Sequence, residues 1–272
     1  MPHRPSHHQW TIITVTYNSV GALRRHWTAG VPKSIRWIVV DNASVDDSRE
    51  VAKSLGAHVV SLDHNIGFGA ANNVGFKLAE SPYIAFVNPD VTIPWDSLPV
   101  LAVAIDRSSG LVSPQLINMD GSLQPNGRGW PYLLRKVQNR LGNSSKPNAY
   151  RLYADRGEYR EVVWMIGAAV LGSREAFDRL NGPWDERFFV YYEDKDLCLR
   201  ARAIGLSSIV VGDVQWIHGW ERATTTLNVA AWRREFASMA TFYARYPALL
   251  LGIPHAKYQK FVRLEGPTSD VR

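Results

Sequence analysis

The 272-residue sequence holds a single cysteine, Cys198. It can assemble neither an intrachain disulfide nor a cysteine-based zinc site, and Cys198 reads as a small core hydrophobe. A reducing cytoplasm is the compartment this implies. Long apolar runs are missing too: Ala248-Leu249-Leu250-Leu251 falls far short of the roughly 20 residues needed to cross a bilayer. Met1 to Gln9 is rich in His, Pro and Arg with no apolar stretch behind it, so it reads neither as a signal peptide nor as a spanning helix. There is no internal repeat and no DNA- or RNA-reading motif, and the basic residues are scattered, so nucleic acid is not an expected partner. The formal net charge is +6, which suits anionic partners in general. With 46% hydrophobic and 21% charged residues the chain has the composition of a globular protein.

What is present is an alternation. Trp10 to Thr16 (WTIITVT) is a β-branched strand, a polar turn follows, and Ala22 to Thr28 reads as helix. Ile35 to Val40 is a second strand ending on Asp41. A helix over Asp46 to Leu55, a strand over Ala57 to Leu62 and a helix over Phe68 to Ala79 come next. The strand Tyr83 to Val87 then ends at Asn88-Pro89-Asp90. Strands separated by helices of this length predict βαβ crossovers and a mostly parallel sheet. Ligands bind outside the carboxyl ends of such strands, where Tyr17-Asn18, Asp41-Asn42 and Asn88-Pro89-Asp90 stand.

After Gly110 the pattern changes. Asp120-Gly121 reads as a hairpin turn, and Pro125 to Arg160 is irregular, as lids and binding loops are. A short helix is expected near Ser173-Arg174-Glu175, and a longer one over Lys195 to Ile204 that Gly205 closes. A strand over Ser208 to Val211 and the segment Gln215 to Gly219 follow. Asn228 to Tyr246 places Val229, Trp232, Phe236, Met239 and Tyr243 at helical spacing, an apolar stripe that packs against the rest of the chain.

Several side chains carry chemistry. Asp41 can accept a hydrogen bond from a pyrimidine N3–H or a ribose hydroxyl, or can form a turn with Asn42 and Ser44. Asp90, after a buried strand and beside Pro89, suits Mg²⁺ or Mn²⁺, which take oxygen ligands and leave room for phosphates; a plain turn is the other reading. Glu193 and Asp194 stand at a helix start, where one can act as general base and the other as a cap. Asp196 is the spare. His218 is a further metal or diphosphate ligand, and the tryptophans flanking it, Trp216 and Trp220, offer flat faces for sugar rings or are core. Asn65 to Asn72 contains G-x-G-x-x, but after the third strand and without the final small residue. A dinucleotide-binding Rossmann domain is therefore disfavoured.

In this order, the strings Thr14-Val15-Thr16-Tyr17-Asn18-Ser19, Val40-Asp41-Asn42-Ala43-Ser44, Asn65 to Asn73 and Asn88-Pro89-Asp90 resemble glycosyltransferase family 2. So do Gly167 to Leu171 and Phe189 to Arg200, and the likeness is to the rhamnosyltransferase-like bacterial branch. The resemblance spans about Trp10 to Thr226. It implies an α/β GT-A fold, a Rossmann-like and mostly parallel central sheet flanked by helices, with a C-terminal helical extension over 227–272. The catalytic domain would run over 10–226, with a nucleotide-binding half at 10–110, an acceptor half at 111–226, and a loosely packed or disordered N-terminus at 1–9.

Roles follow by resemblance. Thr16, Tyr17, Asn18, Asp41, Asn65, Gly67, Asn72 and Asn88 would line the donor-nucleotide site, and Asp90 and His218 would hold a divalent cation. Asp194 would be the catalytic base beside Glu193. Trp164, Gly167, Ala168 and Trp220 would face the acceptor. One departure matters: Asn88 replaces the first acid of the D-x-D pattern and leaves one protein carboxylate on the metal. The implied partners are a dTDP- or UDP-sugar donor and a saccharide or polyprenyl-linked acceptor of bacterial cell-surface polysaccharide synthesis. Peripheral contact at the inner face of the plasma membrane, through Lys257, Lys260 and Arg263, is a further expectation.

Overall fold

A computed structural model of the protein describes residues 8–133, 150–219 and 229–250. Its first half runs β1 (Trp10–Thr16), α1 (Val20–His26), β2 (Ile35–Asp41), α2 (Ser48–Ser54), β3 (His58–Ser61), α3 (Phe68–Leu78) and β4 (Tyr83–Val87). These are the elements expected from the sequence, with ends shifted by a few residues. β5 (Val91–Thr92), α4 (Leu98–Ser108) and β6 (Leu111–Ile117) follow. α4 was not singled out above. It buries Leu98, Leu101, Ala102 and Ile105, spaced as one helical face, and Pro99 sits in its first turn, where a missing N–H costs nothing.

The irregular region contains short strands: β7 (Gly127–Arg128), β8 (Arg151–Leu152), β9 (Tyr159–Glu161) and β10 (Trp164–Met165). Then come β11 (Ala169–Ser173), α5 (Arg174–Asp178), α6 (Glu193–Ala203), β12 (Ser208–His218) and α7 (Val229–Arg245). α6 begins at Glu193 instead of Lys195. β12 is one strand where a strand and a separate segment were expected, because its pairing with β6 resumes after an irregularity between Val211 and Gln215.

The main sheet has the order β3-β2-β1-β4-β11-β6-β12-β5, with β9 beside β12. β3, β2, β1 and β4 are parallel, and β11 enters antiparallel to both β4 and β6. A second sheet has the order β10-β7-β8. Because neighbouring side chains on a strand point to opposite faces, each central strand feeds two cores. Ile12, Trp37, Val39, Ala85 and Val87 join Leu101, Ile105 and Trp216 on one side. Ile13, Ile84 and Phe86 join Phe177, Trp184 and Leu197 on the other.

α7 departs from the expected stripe. Its buried residues are Ser238, Phe242 and Tyr243, with Tyr246 and Leu249 just beyond, while Phe236 is 55% exposed. The helix docks by its C-terminal half. Tyr246 Oη donates to Asp196 at 2.8 Å, and Ser238 Oγ donates to the carbonyl of Val190 at 2.8 Å. Among the described residues no helix is long and apolar enough to cross a membrane. Lys257, Lys260 and Arg263 lie outside them.

Candidate active site

The sheet register brings the singled-out residues to one edge. Thr16 pairs with Asp41 across β1 and β2, and Ile13 pairs with Phe86 across β1 and β4. The carboxyl ends of β2, β1 and β4 therefore lie side by side, with Asp41 and the Asn88–Asp90 turn about 10 Å apart across two strand spacings.

On the β2 side the polar groups bind one another. Asp41 is fully buried; its Oδ1 accepts from Thr16 Oγ1 at 2.9 Å and its Oδ2 from the Ser44 N–H at 3.0 Å. Arg49 Nε stands 3.8 Å from Oδ2. Asp41 thus carries the turn-forming role, and a base could reach its carboxylate only if the Ala43–Ser44 turn gave way. Asn18 and Ala43 hold positive φ angles of 51° and 63° in the two turns. Asn18 N–H donates to Ser44 Oγ, and Asn18 Oδ1 accepts from the Val45 N–H. Tyr17 is 52% exposed, a flat ring at the mouth of these turns.

Asn42, quoted above only within a string, joins this edge to α3: its amide donates to Gly67 O at 3.1 Å and its Oδ1 accepts from the Ile66 N–H at 2.9 Å. Asn65 Oδ1 accepts from the Gly67 N–H at 3.0 Å. Gly67 has φ 95°, and a Cβ there would stand 2.7 Å from the Phe189 carbonyl, so no other residue fits. Asn72 is buried and its amide caps the Phe68 carbonyl one turn back, inside α3.

On the β4 side His218 lies beside the acidic turn. β12 pairs with β5 in a register that sets His218 against Val91, and His218 Nε2 is 3.4 Å from Asp90 Oδ2. Gln124 fixes the imidazole. Its amide nitrogen donates to Asn118 Oδ1 and to the His218 carbonyl, which leaves Oε1 to accept from His218 Nδ1 at 2.8 Å. Nδ1 therefore bears a proton and Nε2 faces Asp90, the orientation in which a metal-ligating histidine is held by its other ring nitrogen. Asn88 adds a buried Oδ1 that lacks a hydrogen-bond partner. An Asp oxygen, an imidazole nitrogen and an amide oxygen make a donor set that a hard or borderline divalent cation accepts. Among the described residues no group of three or more His, Cys, Asp or Glu gathers, so phosphate or water oxygens would have to complete a cation's shell.

Asp194 closes the site from a third element. Its Oδ2 accepts from the Gly167 N–H at 3.3 Å, and the neighbouring Ala168 carbonyl accepts from the Asn88 N–H at 2.9 Å. Oδ1 accepts from the Lys195 N–H at 2.8 Å, and Lys195 Nζ is 3.5 Å away. Glu193 beside it is buried; its Oε2 has no hydrogen-bond partner, and burial, reinforced by the Asp194 carboxylate, pushes its carboxyl up to about 8. Tyr191 and Tyr192, just before it, hold φ angles of 70° and 72°, a strained entry to α6. Asp196 points elsewhere, into a buried network with Arg200, Arg245 and Tyr246.

Two of the aromatic positions are covered. Trp164 is 4% exposed, its ring covered by Lys195 Nζ at 4.2 Å, and Trp216 is core. Trp220 lies outside the described residues. Cys198 is buried, and burial raises its thiol to about 11, as befits a core residue. A cavity of about 580 Å³ elsewhere, with Lys77, Pro183 and Arg200 in its wall, contains none of the singled-out residues.

The family model for Glycosyl transferase family 2 matches residues 11–180 of this chain. The chain belongs to glycosyl transferase family 2. This family 2 enzyme is 27% identical over 230 residues to the N-acetylglucosaminyl-diphospho-decaprenol L-rhamnosyltransferase of Mycobacterium tuberculosis, covering 76% of this chain and 75% of that protein. Its structure resembles that of S. aureus TarS 1–349 in complex with UDP-GlcNAc, with a TM-score of 0.61 at 16% identity over 87% of this chain and 66% of that one. It spans 36% of a longer TarS chain. The mannosyltransferase PcManGT of Pyrobaculum calidifontis, in complex with GDP-Man and Mn²⁺, gives a TM-score of 0.56 at 17% identity over 91% of this chain and 68% of that one. At such identities the likeness is one of fold, and the fold is GT-A. Glu193 and Asp194 lie beyond the family match, so their place rests on geometry.

Proposed function

We propose that this glycosyltransferase moves a sugar, with L-rhamnose from dTDP-L-rhamnose as first choice, onto a hydroxyl of a saccharide or lipid-linked acceptor, with inversion. The observation that carries the reading is the convergence of Asp194 with the Asn88–Asp90 turn through Gly167 and Ala168. In this reading the nucleoside rests at Thr16, Tyr17, Asn18 and Asp41, and the Asn65–Gly67 turn and Asn72 shape the wall beneath the donor. Asp90 and His218, with Asn88, hold Mg²⁺ or Mn²⁺. When bound, such an ion supplies positive charge that offsets the negative charge building on a departing diphosphate.

Asp194 takes the proton of the attacking hydroxyl. The Gly167 N–H and the Lys195 N–H fix its two oxygens, so the proton is received at a set position. Gly167 and Ala168 lie beside the acceptor's path, with Trp164 as the floor under Lys195. Inversion is the geometric result of a single displacement from the face opposite the diphosphate. The likeness to the M. tuberculosis N-acetylglucosaminyl-diphospho-decaprenol L-rhamnosyltransferase supports both the rhamnosyl donor and a lipid-diphosphate acceptor. A bacterial cell-surface polysaccharide is the product class that fits.

A donor panel tests the assignment. dTDP-L-rhamnose, UDP-glucose and UDP-N-acetylglucosamine are offered with Mn²⁺ and a lipid-linked N-acetylglucosamine acceptor, and products are read by mass spectrometry. Transfer from dTDP-L-rhamnose above the others is expected. Preference for a UDP-sugar would move the choice to a UDP-hexose or UDP-N-acetylhexosamine transferase, since uracil and thymine offer the same N3–H and differ only in the thymine methyl group.

A further inference from the structure

The second sheet carries an arrangement that the reaction above does not use. Arg128 on β7 pairs directly with Arg151 on β8 and with Trp164 on β10. Like charges directly opposite in an antiparallel pair repel each other, and an anion between them lowers that cost. The surroundings add positive charge. Lys195 Nζ lies over the same Trp164 ring, at 4.2 Å, and over the Tyr192 ring at 4.4 Å, while the Arg128 guanidinium stands 5.8 Å from the Trp164 centroid. Burial lowers Arg128 to about 10; Arg151 works against its charged form and Asp194 works for it.

We infer that Arg128 and Arg151 form a phosphate-recognising site beside Asp194, suited to the diphosphate of a lipid-linked acceptor. The inference rests on the glycosyl-transfer reading for the identity of that acceptor, but not for the anion site itself. A phosphate accepts hydrogen bonds from two guanidinium groups at once, and its charge relieves the repulsion between them. The Tyr150 ring, edge-on to Trp164 at 6.2 Å, adds an aromatic wall to the same corner. An anionic group held here would bring the attached sugar to the carboxylate that deprotonates it. A merely structural pair, stacked on Trp164 to hold the strands together, would bind no anion.

Isothermal titration calorimetry of citronellyl diphosphate, which carries the anion and a short isoprenoid but no sugar, separates these accounts. It is titrated into the wild-type protein, Arg151→Gln and Arg128→Gln, and UDP is titrated into the same samples. Both substitutions are expected to weaken citronellyl diphosphate by about 10-fold or more, the size of a lost charge-assisted hydrogen bond, with a much smaller change for UDP. Raised salt should weaken the wild-type binding in the same direction. A fall in UDP affinity without a fall for citronellyl diphosphate would assign the anion site to the donor and overturn the acceptor assignment. No change in either ligand would overturn the site altogether. Arg151→Gln, half-buried on a strand of two residues, covers the case in which Arg128→Gln fails to fold. If no donor gives transfer with any acceptor, the glycosyl-transfer reading fails while the calorimetry still decides the anion site.

Discussion

The turns after β1 and β2 and the segment from Phe189 to Lys195 treat their polar groups in opposite ways. In the first, Asp41, Asn42, Asn18 and Ser44 are bonded to one another and to the backbone. The second begins with two tyrosines of positive φ and sets a buried carboxyl oxygen of Glu193 without a hydrogen-bond partner next to Asp194. A closed hydrogen-bond set holds a shape in place, which suits the nucleotide surface proposed there. Strain and unmatched polarity are retained where groups must change partners. On the proposed reading, the contrast separates a region that holds the donor from a region that reacts.

Replacement of Asp194 by Asn breaks the contrast hardest. Turnover should fall by about 10²-fold or more, while calorimetric affinity for UDP or dTDP stays near that of the wild type; an equal loss in both would merge the two regions. Next in size is the cation. EDTA should abolish transfer and Mn²⁺ restore it, and Gln124→Leu, which frees the His218 ring, should raise the Mn²⁺ concentration for half-activation by about 10-fold. Unchanged Mn²⁺ dependence would remove His218 from the metal.

Glu193→Gln sharpens the comparison through pH. Glu193 keeps its proton in the folded chain up to about 8, against 4.5 for the ordinary carboxyl. Its contribution is therefore fully present below pH 4.5 and is lost as pH rises toward 8, with a slope on the order of 1 kcal/mol per pH unit. Urea denaturation across that range should show a shallower decline in the Gln variant. The smallest effect expected is that of Tyr246→Phe, about 1–2 kcal/mol of stability for a bond to a buried carboxylate, read from the urea midpoint.

Much of the fold was legible because its signals are local. Two-residue alternation in Trp10–Thr16 and Ile35–Asp41, and turns ending in Asn or Asp, announce parallel strands with polar carboxyl ends. α4 is equally local in its spacing, since Leu98, Leu101, Ala102 and Ile105 recur on one helical face. The site was legible at Asp90, His218 and Asp194 as residue types, but the links among them are not local. Gln124 is 94 positions from His218, Asn88 meets Ala168 across the sheet, and Arg128 opposes Arg151 across a stretch of sequence that no period encodes. Trp164 was expected to face the acceptor, and the Lys195 Nζ that stands 4.2 Å from its ring comes from an element that no local spacing links to it. The α7 stripe misled for a related reason, since helical spacing tells which residues share a face but not how far along the helix the partner surface extends.

The bond from Tyr246 to Asp196, two residues after Asp194, has a bearing on how the molecule can be shortened. Together with Arg245 it bolts the last helix to the one that begins with Glu193. A polypeptide trimmed to the family match at residue 180 would lose the acidic pair outright. One trimmed just past β12 would keep the pair but leave Asp196 buried with two fewer partners. A piece that keeps both of these Asp196 contacts therefore extends through Tyr246.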